Sequence, residues 1–339
     1  MQPVCVEDPS QIAEARRTAV AVAGRLGFSS SDSGRVAIAA TELATNLLRH
    51  AGGGRMLVGR TEGDAGPAVE ILALDRGPGM RDVQVCLRDG YSTAGTAGNG
   101  LGAVKRQSTL MDVWSQPGGG TGVLARIAAT PALMPILPPV PRPVPLMDVG
   151  VVQTAMPGEE ACGDGWAVET VFTDVTVLMV VDGLGHGPLA ADAAAAAMRV
   201  LHRSRGEPAG AIIQAIHDGL RATRGAAVAV ARVDHRAGIV SYCGIGNITG
   251  VLVSGGRVQK MVSHNGTAGL SARRIQEFTY SFAGTPLVIL HSDGLGSGWS
   301  LDSYPGLIMR DPALLAGMLA RDFDRGRDDV TVLAARGRP

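Results

Sequence analysis

The sequence has few cysteines, no long apolar run and no net charge. Its four cysteines, Cys5, Cys86, Cys162 and Cys243, stand far apart in the 339 residues, which argues against a zinc knuckle or a disulfide framework. No apolar run reaches the length of about eighteen residues that a membrane helix needs, and no basic start precedes an apolar segment. We therefore expect reduced thiols, a soluble cytoplasmic protein that is not exported, and no membrane partner.

The charge balance excludes one class of partner. Lysine and arginine total 31, and aspartate and glutamate also total 31, so the chain lacks the basic field that holds a phosphate backbone. We expect no nucleic acid partner. The length favours about two domains, each able to bury a core, and 45% of the residues are hydrophobic. The sequence leaves the oligomeric state open.

A proline-rich segment divides the chain. Seven prolines fall between positions 131 and 145. This density removes backbone donors and favours an extended spacer. We therefore predict a first domain over residues 1–130, a linker over residues 131–147 and a second domain over residues 148–336.

The first half contains a helix with a polar face. This helix is predicted to begin near Ser31 or Ser33, where the serines and Asp32 can cap the free amides. Glu42 and Asn46 stand one helical turn apart on a different face from the apolar stripe. Two interpretations of this polar face are open from the sequence: it lines a functional site, or it is a solvent-exposed helix surface. The apolar stripe consists of Val36, Leu43 and Leu47.

Two glycine motifs follow this helix. The predicted strand Val69–Leu74 runs directly into Asp75, Gly77 and Gly79. Further on, a glycine-rich loop opens a predicted helix over Ala103–Thr109. Such a loop presents bare amides to phosphate oxygens, although its spacing alone also fits a plain flexible loop. The residues of this loop that we consider are Gly98, Gly100, Leu101 and Gly102.

The order of these motifs resembles that of the GHKL ATPases. A Glu-x-x-x-Asn helix, a strand ending in Asp-x-Gly-x-Gly and a Gly-x-Gly-Leu-Gly segment match the N box and the two glycine boxes of that superfamily. Within that superfamily, the residues of Thr41–Asn46 and Gly100–Arg106 are most similar to the corresponding motifs of the RsbT/RsbW-type serine kinases, which phosphorylate anti-sigma-factor antagonists. The resemblance implies a Bergerat-type α/β sandwich that binds ATP and Mg²⁺.

The resemblance also implies roles for single residues. Asp75 accepts the adenine amino proton, and Gly77 and Gly79 let the base approach. Asn46 ligates magnesium, and Glu42 is the general base that takes the serine proton. The implied nucleotide contacts of the glycine-rich loop are Gly98, Gly100, Leu101 and Gly102.

Four aspartates of the second half each stand beside a turn. Asp182 follows the apolar run Val175–Val180, Asp293 follows another apolar run, and Asp164 and Asp328 stand next to predicted strands. In a layered α+β fold with helices on antiparallel sheets, strand-end carboxylates are expected to gather at one rim. Oxygen ligands suit a hard divalent metal. The alternative is four unconnected turn aspartates.

The segments around Asp164, Asp182, Asp293 and Asp328 resemble the sequence motifs of the PPM metal-dependent protein phosphatases, in the SpoIIE/RsbX-like branch. The resemblance spans about residues 151–333 and implies a β-sandwich flanked by helices, with two Mn²⁺ or Mg²⁺ ions. It implies that Asp182 bridges the ions and that Asp182 and Asp293 are central to catalysis. The implied ligands are Asp164, Asp182 and the Gly183 carbonyl for one ion, and Asp182, Asp293 and Asp328 for the other.

Three residue questions stay open from the sequence. No arginine clearly matches a phosphate-binding position. His186, between two glycines, is a proton donor to the leaving serine oxygen or a spectator. Asp329, next to Asp328, occupies a polar position that fits a supporting role better than a ligand.

The two resemblances together predict a bifunctional cytoplasmic signalling regulator. Its metal-dependent phosphatase would act on phosphorylated anti-sigma-factor antagonists or scaffolds of the STAS type, and an ATP-dependent serine kinase domain would be fused to it. An alternative is a phosphatase gated by a non-catalytic first domain that senses adenine nucleotide or binds a partner. A third is a scaffold in which both sites are inactive.

Overall fold

The computed structural model of the protein describes residues 1–63, 66–86, 100–130 and 145–338. Its internal contacts divide the chain into two units. Unit 1 comprises Met1–Val144 and Ser300–Arg321, and unit 2 comprises Pro145–Trp299 and Asp322–Pro339. The segment Ser300–Arg321 therefore groups with unit 1, although it lies inside the range predicted for the second domain. The predicted boundaries stay a prediction, and residues 131–144 of the predicted linker lie outside the described residues.

Unit 1 is built on a five-stranded antiparallel sheet, in the strand order β1-β2-β3-β5-β4 among the described residues. Two long helices cover one face of this sheet, and the predicted stripe Val36, Leu43 and Leu47 is buried there, which confirms that prediction. The elements are β1 (Gln2–Val6), α1 (Pro9–Arg25), α2 (Ser30–Ala51), β2 (Gly54–Gly63), β3 (Gly66–Asp75), α3 (Val83–Cys86), α4 (Gly100–Gln107), β4 (Leu110–Gln116) and β5 (Gly120–Ala128).

Side chains of Ser300–Arg321 lie against leucines of strand β3. The Cβ position of Gly317 is 3.3 Å from Leu72 and 3.4 Å from Leu74. The indole Nε1 of Trp114 donates a hydrogen bond to the carbonyl of Pro305 at 2.9 Å. A segment remote in sequence thus contributes to the core of unit 1.

Unit 2 contains two five-stranded antiparallel sheets in the described residues, in the orders β15-β10-β9-β8-β7 and β12-β11-β16-β17-β6. Leu178 and Val180 of one sheet share a buried cluster with Leu252 and Leu290 of the other, so the sheets form a sandwich. Two helices pack on the outer face of the first sheet. The elements are β6 (Met147–Thr154), β7 (Asp164–Val171), β8 (Val175–Gly183), α5 (Pro188–Ser204), α6 (Ala209–Gly219), β9 (Ala226–Asp234), β10 (Ile239–Ile245), β11 (Thr249–Ser254), β12 (Arg257–Met261), β13 (Gly266–Thr267), β14 (Ser271–Ala272), β15 (Phe278–Ser281), β16 (Leu287–His291) and β17 (Val330–Gly337). Helix α7 (Pro312–Phe323) lies between β16 and β17 in the chain, and all of it except Asp322 and Phe323 belongs to unit 1.

The α+β class predicted from the sequence is confirmed, with a local difference at helix α4. This helix already begins at Gly100 and ends at Gln107, whereas the prediction was Ala103–Thr109, because the glycine-rich segment itself enters the first helical turn. Across the described ranges, no helix is both long and apolar enough to cross a membrane.

Candidate active sites

The first candidate site lies where helix α2 meets the start of helix α4. Glu42 and Asn46 are half-buried on α2. The Cβ position of Gly100 is 3.1 Å from Asn46 Oδ1 and 3.5 Å from Glu42 Oε2. A side chain at position 100 would therefore crowd the amide of Asn46 and contact Glu42, which favours a glycine there. Leu101 and Gly102 continue the same helix, whereas Gly98 lies outside the described residues.

Asp75 ends strand β3 and is held by two backbone amides. Its Oδ1 accepts hydrogen bonds from the amide of Gly77 at 2.8 Å and from the amide of Thr121 at 3.1 Å. Burial raises the pKa of this carboxyl, and the two amides oppose that rise. Because Oδ1 carries both bonds, the carboxylate has a fixed orientation.

Two glycines shape the turn after Asp75. A Cβ on Gly77 would lie 2.7 Å from Ala51, and a Cβ on Gly79 would overlap the carbonyl oxygen of Gln116. Gly79 also has a positive φ of 70°, which disfavours other residues. The close approach to Ala51 and Gln116 accounts for both glycines physically.

Thr121 is a site residue that the sequence did not indicate. Its amide binds Asp75, and its hydroxyl lies 2.8 Å from the hydroxyl of Ser115. Ser115 in turn accepts the amide of Met80 at 2.7 Å, so the polar chain reaches the glycine turn. The contact arises from the β3–β5 register, which pairs Asp75 with Thr121. No local pattern in the sequence signals that pairing.

The second candidate site is a cavity of about 440 Å³ in unit 2. Asp182, Asp293 and Asp328 line it together. Asp164 is paired with Asp182 in the β7–β8 register but is buried, with 5% of its surface exposed, and does not line the cavity. The remaining lining residues are Leu184, Gly185, His186, Ala227, Gly246, Asn247, Asn265, Gly266, Thr267 and Arg327.

Neutral donors orient two of these carboxylates. Ser292 Oγ donates to Asp164 Oδ2 at 2.7 Å, and Asn247 Nδ2 donates to Asp293 Oδ2 at 2.6 Å. The other oxygen of Asp164, Oδ1, is buried without any hydrogen-bond partner in the described structure. A buried carboxylate oxygen without a partner is costly unless a ligand satisfies it.

The carboxylates disfavour one another's ionised forms. Burial, together with the nearby Asp164 and Asp293, raises the pKa of Asp182 to about 9. Burial also raises the pKa of Asp164 to about 7, against the opposing effect of Ser292. The pKa of Asp328 is raised as well, first by burial. The site therefore favours bound protons or cations.

The donor set fits hard divalent cations. It offers carboxylate oxygens and the unsatisfied oxygen of Asp164, which are ligand types that Mg²⁺ and Mn²⁺ prefer. Gly183, whose carbonyl is a predicted ligand, is buried and is not among the residues that line the cavity. Within the ranges that the structure describes, however, no three aspartate, glutamate, histidine or cysteine side chains converge into a ready-made ligand set.

Asp329 supports the loop that carries Asp164. It is buried, and its two carboxylate oxygens accept the amides of Met156 at 2.9 Å and of Gly163 at 2.8 Å. Both of its oxygens are therefore used by backbone amides. This arrangement agrees with the supporting role that the sequence suggested for Asp329.

The structure locates His186 and an arginine that could bind phosphate, two points that the sequence left open. His186 lines the cavity, and its Nδ1 lies 2.6 Å from Glu159 Oε1, which leaves Nε2 for another partner. Arg327 also lines the cavity, next to Asp328. Arg327 was not among the residues predicted from the sequence, although its position beside a candidate ligand was a usable signal. Ser292 was missed because its partner Asp164 is 128 positions away.

Comparison with known proteins now identifies unit 1. Residues 5–127 match the family described as Histidine kinase-like ATPase domain. Serine/threonine-protein kinase RsbT of Bacillus subtilis (strain 168) is 36% identical over 114 residues, which are 34% of this chain and 86% of RsbT. The chain belongs to the RsbT family. The predicted kinase resemblance is thereby confirmed for the N-terminal part of this RsbT-family chain.

Unit 2 of this RsbT-family chain has the fold of PPM-type phosphatases. Phosphoserine phosphatase RsbX of Bacillus subtilis (strain 168) is 25% identical over 146 residues, which are 43% of this chain and 73% of RsbX. A crystal structure of RsbX in complex with magnesium has a TM-score of 0.50 at 21% identity, covering 57% of this chain and 96% of that one. That structure supports the fold alone.

A third similarity is to a solved chain from the bacterial stressosome, described as a modular system adapted to control secondary messenger signaling. It is 32% identical, with a TM-score of 0.53, and the match covers 56% of this chain and 99% of that one. The RsbT-family chain thus joins a kinase-type unit to a phosphatase-type unit, and both are related to enzymes. The predicted fusion is confirmed at this level.

Proposed function

We propose that this protein is a signalling regulator that combines a metal-dependent phosphoserine phosphatase with an ATP-dependent serine kinase. The observation that carries the phosphatase is the cavity lined by Asp182, Asp293 and Asp328, with the buried Asp164 beside Asp182. The kinase rests on the RsbT relationship and on the position of Gly100 close to Glu42 and Asn46.

In the phosphatase, Asp164, Asp182, Asp293, Asp328 and the Gly183 carbonyl would hold two Mg²⁺ or Mn²⁺ ions. When bound, such a pair activates water and offsets the charge of phosphate oxygens. The chain's own contribution is to fix the carboxylates through Ser292 and Asn247 and to supply a proton donor. His186, held at Nδ1 by Glu159, would carry that proton on Nε2 toward the leaving serine oxygen.

In the kinase, Asp75 would accept the adenine amino group, and Gly77 and Gly79 would let the base approach. Asn46 would ligate Mg²⁺, and Glu42, one helical turn away, would take the proton of the substrate serine. The start of helix α4 would contact the phosphates of ATP through Gly100, Leu101 and Gly102, together with Gly98 from outside the described residues.

We propose STAS-type anti-sigma-factor antagonists or scaffolds as the protein substrates, and the cytoplasm as the location. RsbT and RsbX are named as a serine/threonine-protein kinase and a phosphoserine phosphatase, which supports serine phosphorylation as the shared chemistry. The four cysteines are free thiols, as expected in a reducing compartment. Opposed activities on one serine would only consume ATP, so the two units would act on different proteins or at different times.

A specific contact favours a second function, in which unit 1 gates the phosphatase. The guanidinium of Arg321 donates to the carbonyl oxygen of Asp75, and Arg76 donates to the carbonyl of Arg321 at 2.5 Å. Along the chain, Ser300–Arg321 lies between the candidate ligands Asp293 and Asp328. Nucleotide bound at Asp75 would therefore act on a segment that joins two phosphatase residues.

Measuring the transfer of labelled phosphate from ATP distinguishes the two proposed functions of unit 1, a serine kinase and a gate for the phosphatase. The full chain with Asp293→Asn, which prevents removal of the product, is incubated with labelled ATP, Mg²⁺ and a purified STAS-domain protein. For a kinase we expect label on the STAS protein that disappears when Glu42→Ala is added. Glu14→Ala, an exposed glutamate on helix α1, is the matched control and keeps the transfer. Nucleotide binding without transfer to any STAS protein would support the gate instead.

Arg327→Ala should weaken phosphate binding without changing the metal requirement. Arg327 is exposed, and its side chain has no hydrogen bond or ion pair within the described residues, so it is available to a phosphate dianion. Loss of a charge-assisted hydrogen bond corresponds to about a 10–100-fold rise in KM for p-nitrophenyl phosphate and in the inhibition constant of inorganic phosphate. Steady-state kinetics at saturating Mn²⁺ measure both.

The control for this prediction is Arg325→Ala, which removes an exposed arginine two positions away that does not line the cavity. Its KM for p-nitrophenyl phosphate and its inhibition constant for inorganic phosphate should stay within about twofold of those of the unmodified protein. An unchanged phosphate inhibition constant in Arg327→Ala would contradict the assignment.

A further inference from the structure

Two leucines are exposed beside the mouth of the phosphatase cavity. Leu184, which lines the cavity, is 51% exposed, and Leu270 is 57% exposed. Both residues lie close to the same glycine. The amide of Leu184 donates to the carbonyl of Gly225 at 2.9 Å, and Leu270 Cγ is 3.2 Å from the Cβ position of Gly225. The backbone of Leu184 and the side chain of Leu270 therefore meet at Gly225.

The backbone under these leucines is well ordered by hydrogen bonds. Ala226 and Ala268 exchange two backbone hydrogen bonds, at 3.0 and 2.8 Å, directly beside Gly225 and Leu270. The amide of Leu270 also donates to the carbonyl of Thr267 at 3.1 Å. The exposure of the leucines is thus built into a fixed surface and does not come from a loose loop.

A cation stands next to the leucines. Arg224 Nη1 is 3.2 Å from the Cβ position of Gly185, a residue that lines the cavity. The Arg224 side chain is exposed and makes no hydrogen bond or ion pair with any residue that the structure describes. Apolar surface and an unpaired positive charge therefore lie close to a cavity that three aspartates line.

We propose that Leu184, Arg224 and Leu270, here called the leucine rim, bind the polypeptide that flanks the phosphoserine of the substrate. An apolar side chain next to the phosphoserine packs on the two leucines, and Arg224 pairs with an acidic side chain of the same segment. The proposal rests on the proposed phosphatase function and deepens it, because it assigns sequence preference to this edge of the site.

The geometry of a phosphoserine substrate supports this occupant. A serine side chain is short, so its backbone must cross the mouth of the cavity when its phosphate is inside. Extended chain advances roughly 3.3–3.6 Å per residue, which places the immediate neighbours of the phosphoserine over the rim. Leu184 both lines the cavity and belongs to the rim, so the two surfaces are continuous. Burial of exposed leucine side chains by an apolar neighbour stabilises the complex.

The test compares phosphoserine peptides with a small ester. The full chain with Mn²⁺ hydrolyses p-nitrophenyl phosphate, a phosphoserine pentapeptide with glycine at the flanking positions, and peptides in which each glycine in turn is leucine. We expect one leucine position to raise kcat/KM about tenfold over the glycine peptide. Leu270→Ala should remove most of this preference, and Leu270→Asp all of it. Val258→Ala, at a 56% exposed valine on β12, is the matched control and should keep it.

Three outcomes would overturn the proposal. Failure to hydrolyse both the small ester and the peptides removes the phosphatase function itself. Hydrolysis of the small ester together with equal kcat/KM for all peptides removes the leucine rim alone. A change from dimer to monomer in Leu270→Asp by light scattering, with the peptide preference intact, would show that the leucines bind a second copy of the chain.

Discussion

We expect Asp182→Asn to abolish the proposed metal-dependent hydrolysis of p-nitrophenyl phosphate and to raise the melting temperature of the metal-free protein. The first effect is expected because Asp182 lies in the cavity beside both other aspartates; removal of a central ligand should cost about a thousandfold or more in kcat. The second is expected because burial and its neighbours make the ionised form of Asp182 unfavourable, and an amide removes that charge. A rise of roughly 5 °C or more is expected.

The pH dependence of the metal-free protein follows from the same groups. The unfolded chain releases the protons of Asp164 and Asp182 near pH 4, whereas the folded chain holds them until about pH 7 and about pH 9. The folded state therefore binds more protons across this window, and stability falls as the pH rises from about 4 to about 9. Addition of Mn²⁺ at pH 8 should raise the melting temperature that the metal-free protein has lost. The variant Asp182→Asn should show a weaker dependence of melting temperature on pH.

The control for both measurements is Asp192→Asn, which removes an exposed aspartate on helix α5. It should leave activity and melting temperature close to those of the unmodified protein. The interpretation fails if chelated Asp182→Asn melts at a lower temperature than the chelated unmodified protein, or if its activity persists.

Arg126→Ala lowers the free energy of unfolding of the protein by about 3–5 kcal/mol. Arg126 Nε lies 2.6 Å from Glu70, and its two terminal nitrogens lie 2.8 and 3.0 Å from the carboxylate oxygens of Asp311. Glu70 is 3% exposed, and burial raises its pKa while Arg126 lowers it. Without the guanidinium, two poorly solvated carboxylates face each other. Urea titration measures the loss.

Two variants make this prediction specific. Arg60→Ala removes an arginine whose side chain is 71% exposed and pairs with Glu62, so it should cost less than about 1 kcal/mol. Arg126→Met combined with Glu70→Leu and Asp311→Asn should recover much of the stability, because no buried charge then lacks a partner. A loss below about 1 kcal/mol in Arg126→Ala would mean that water replaces the guanidinium at this position.

The order of motifs and the local elements were readable from the sequence because they depend on neighbouring residues. The apolar run Val175–Val180 became the centre of strand β8, which ends directly after Asp182. The spacing of Val36, Leu43 and Leu47 gave the buried face of α2. Period, capping and glycine placement act over a few positions, so one sequence is enough to find them.

The groups that hold the site carboxylates needed the tertiary structure. Ser292 reaches Asp164 across 128 positions, and Thr121 reaches Asp75 across 46 positions. Both contacts depend on which strands pair and in which register. A serine or threonine in a strand looks the same in sequence whether or not it meets a carboxylate.

The sequence by itself determined that this protein has two enzyme-like halves and which aspartates and glycines stand at strand ends. Only the tertiary structure decided that Asp182, Asp293 and Asp328 share a cavity while Asp164 lies buried behind it, and that Ser300–Arg321 joins unit 1. The physical reason is that motifs are local, whereas a cavity and a shared core arise from the packing of segments that are distant in sequence. The free energy of that packing depends on the whole fold, so it cannot be read from a short segment of the chain.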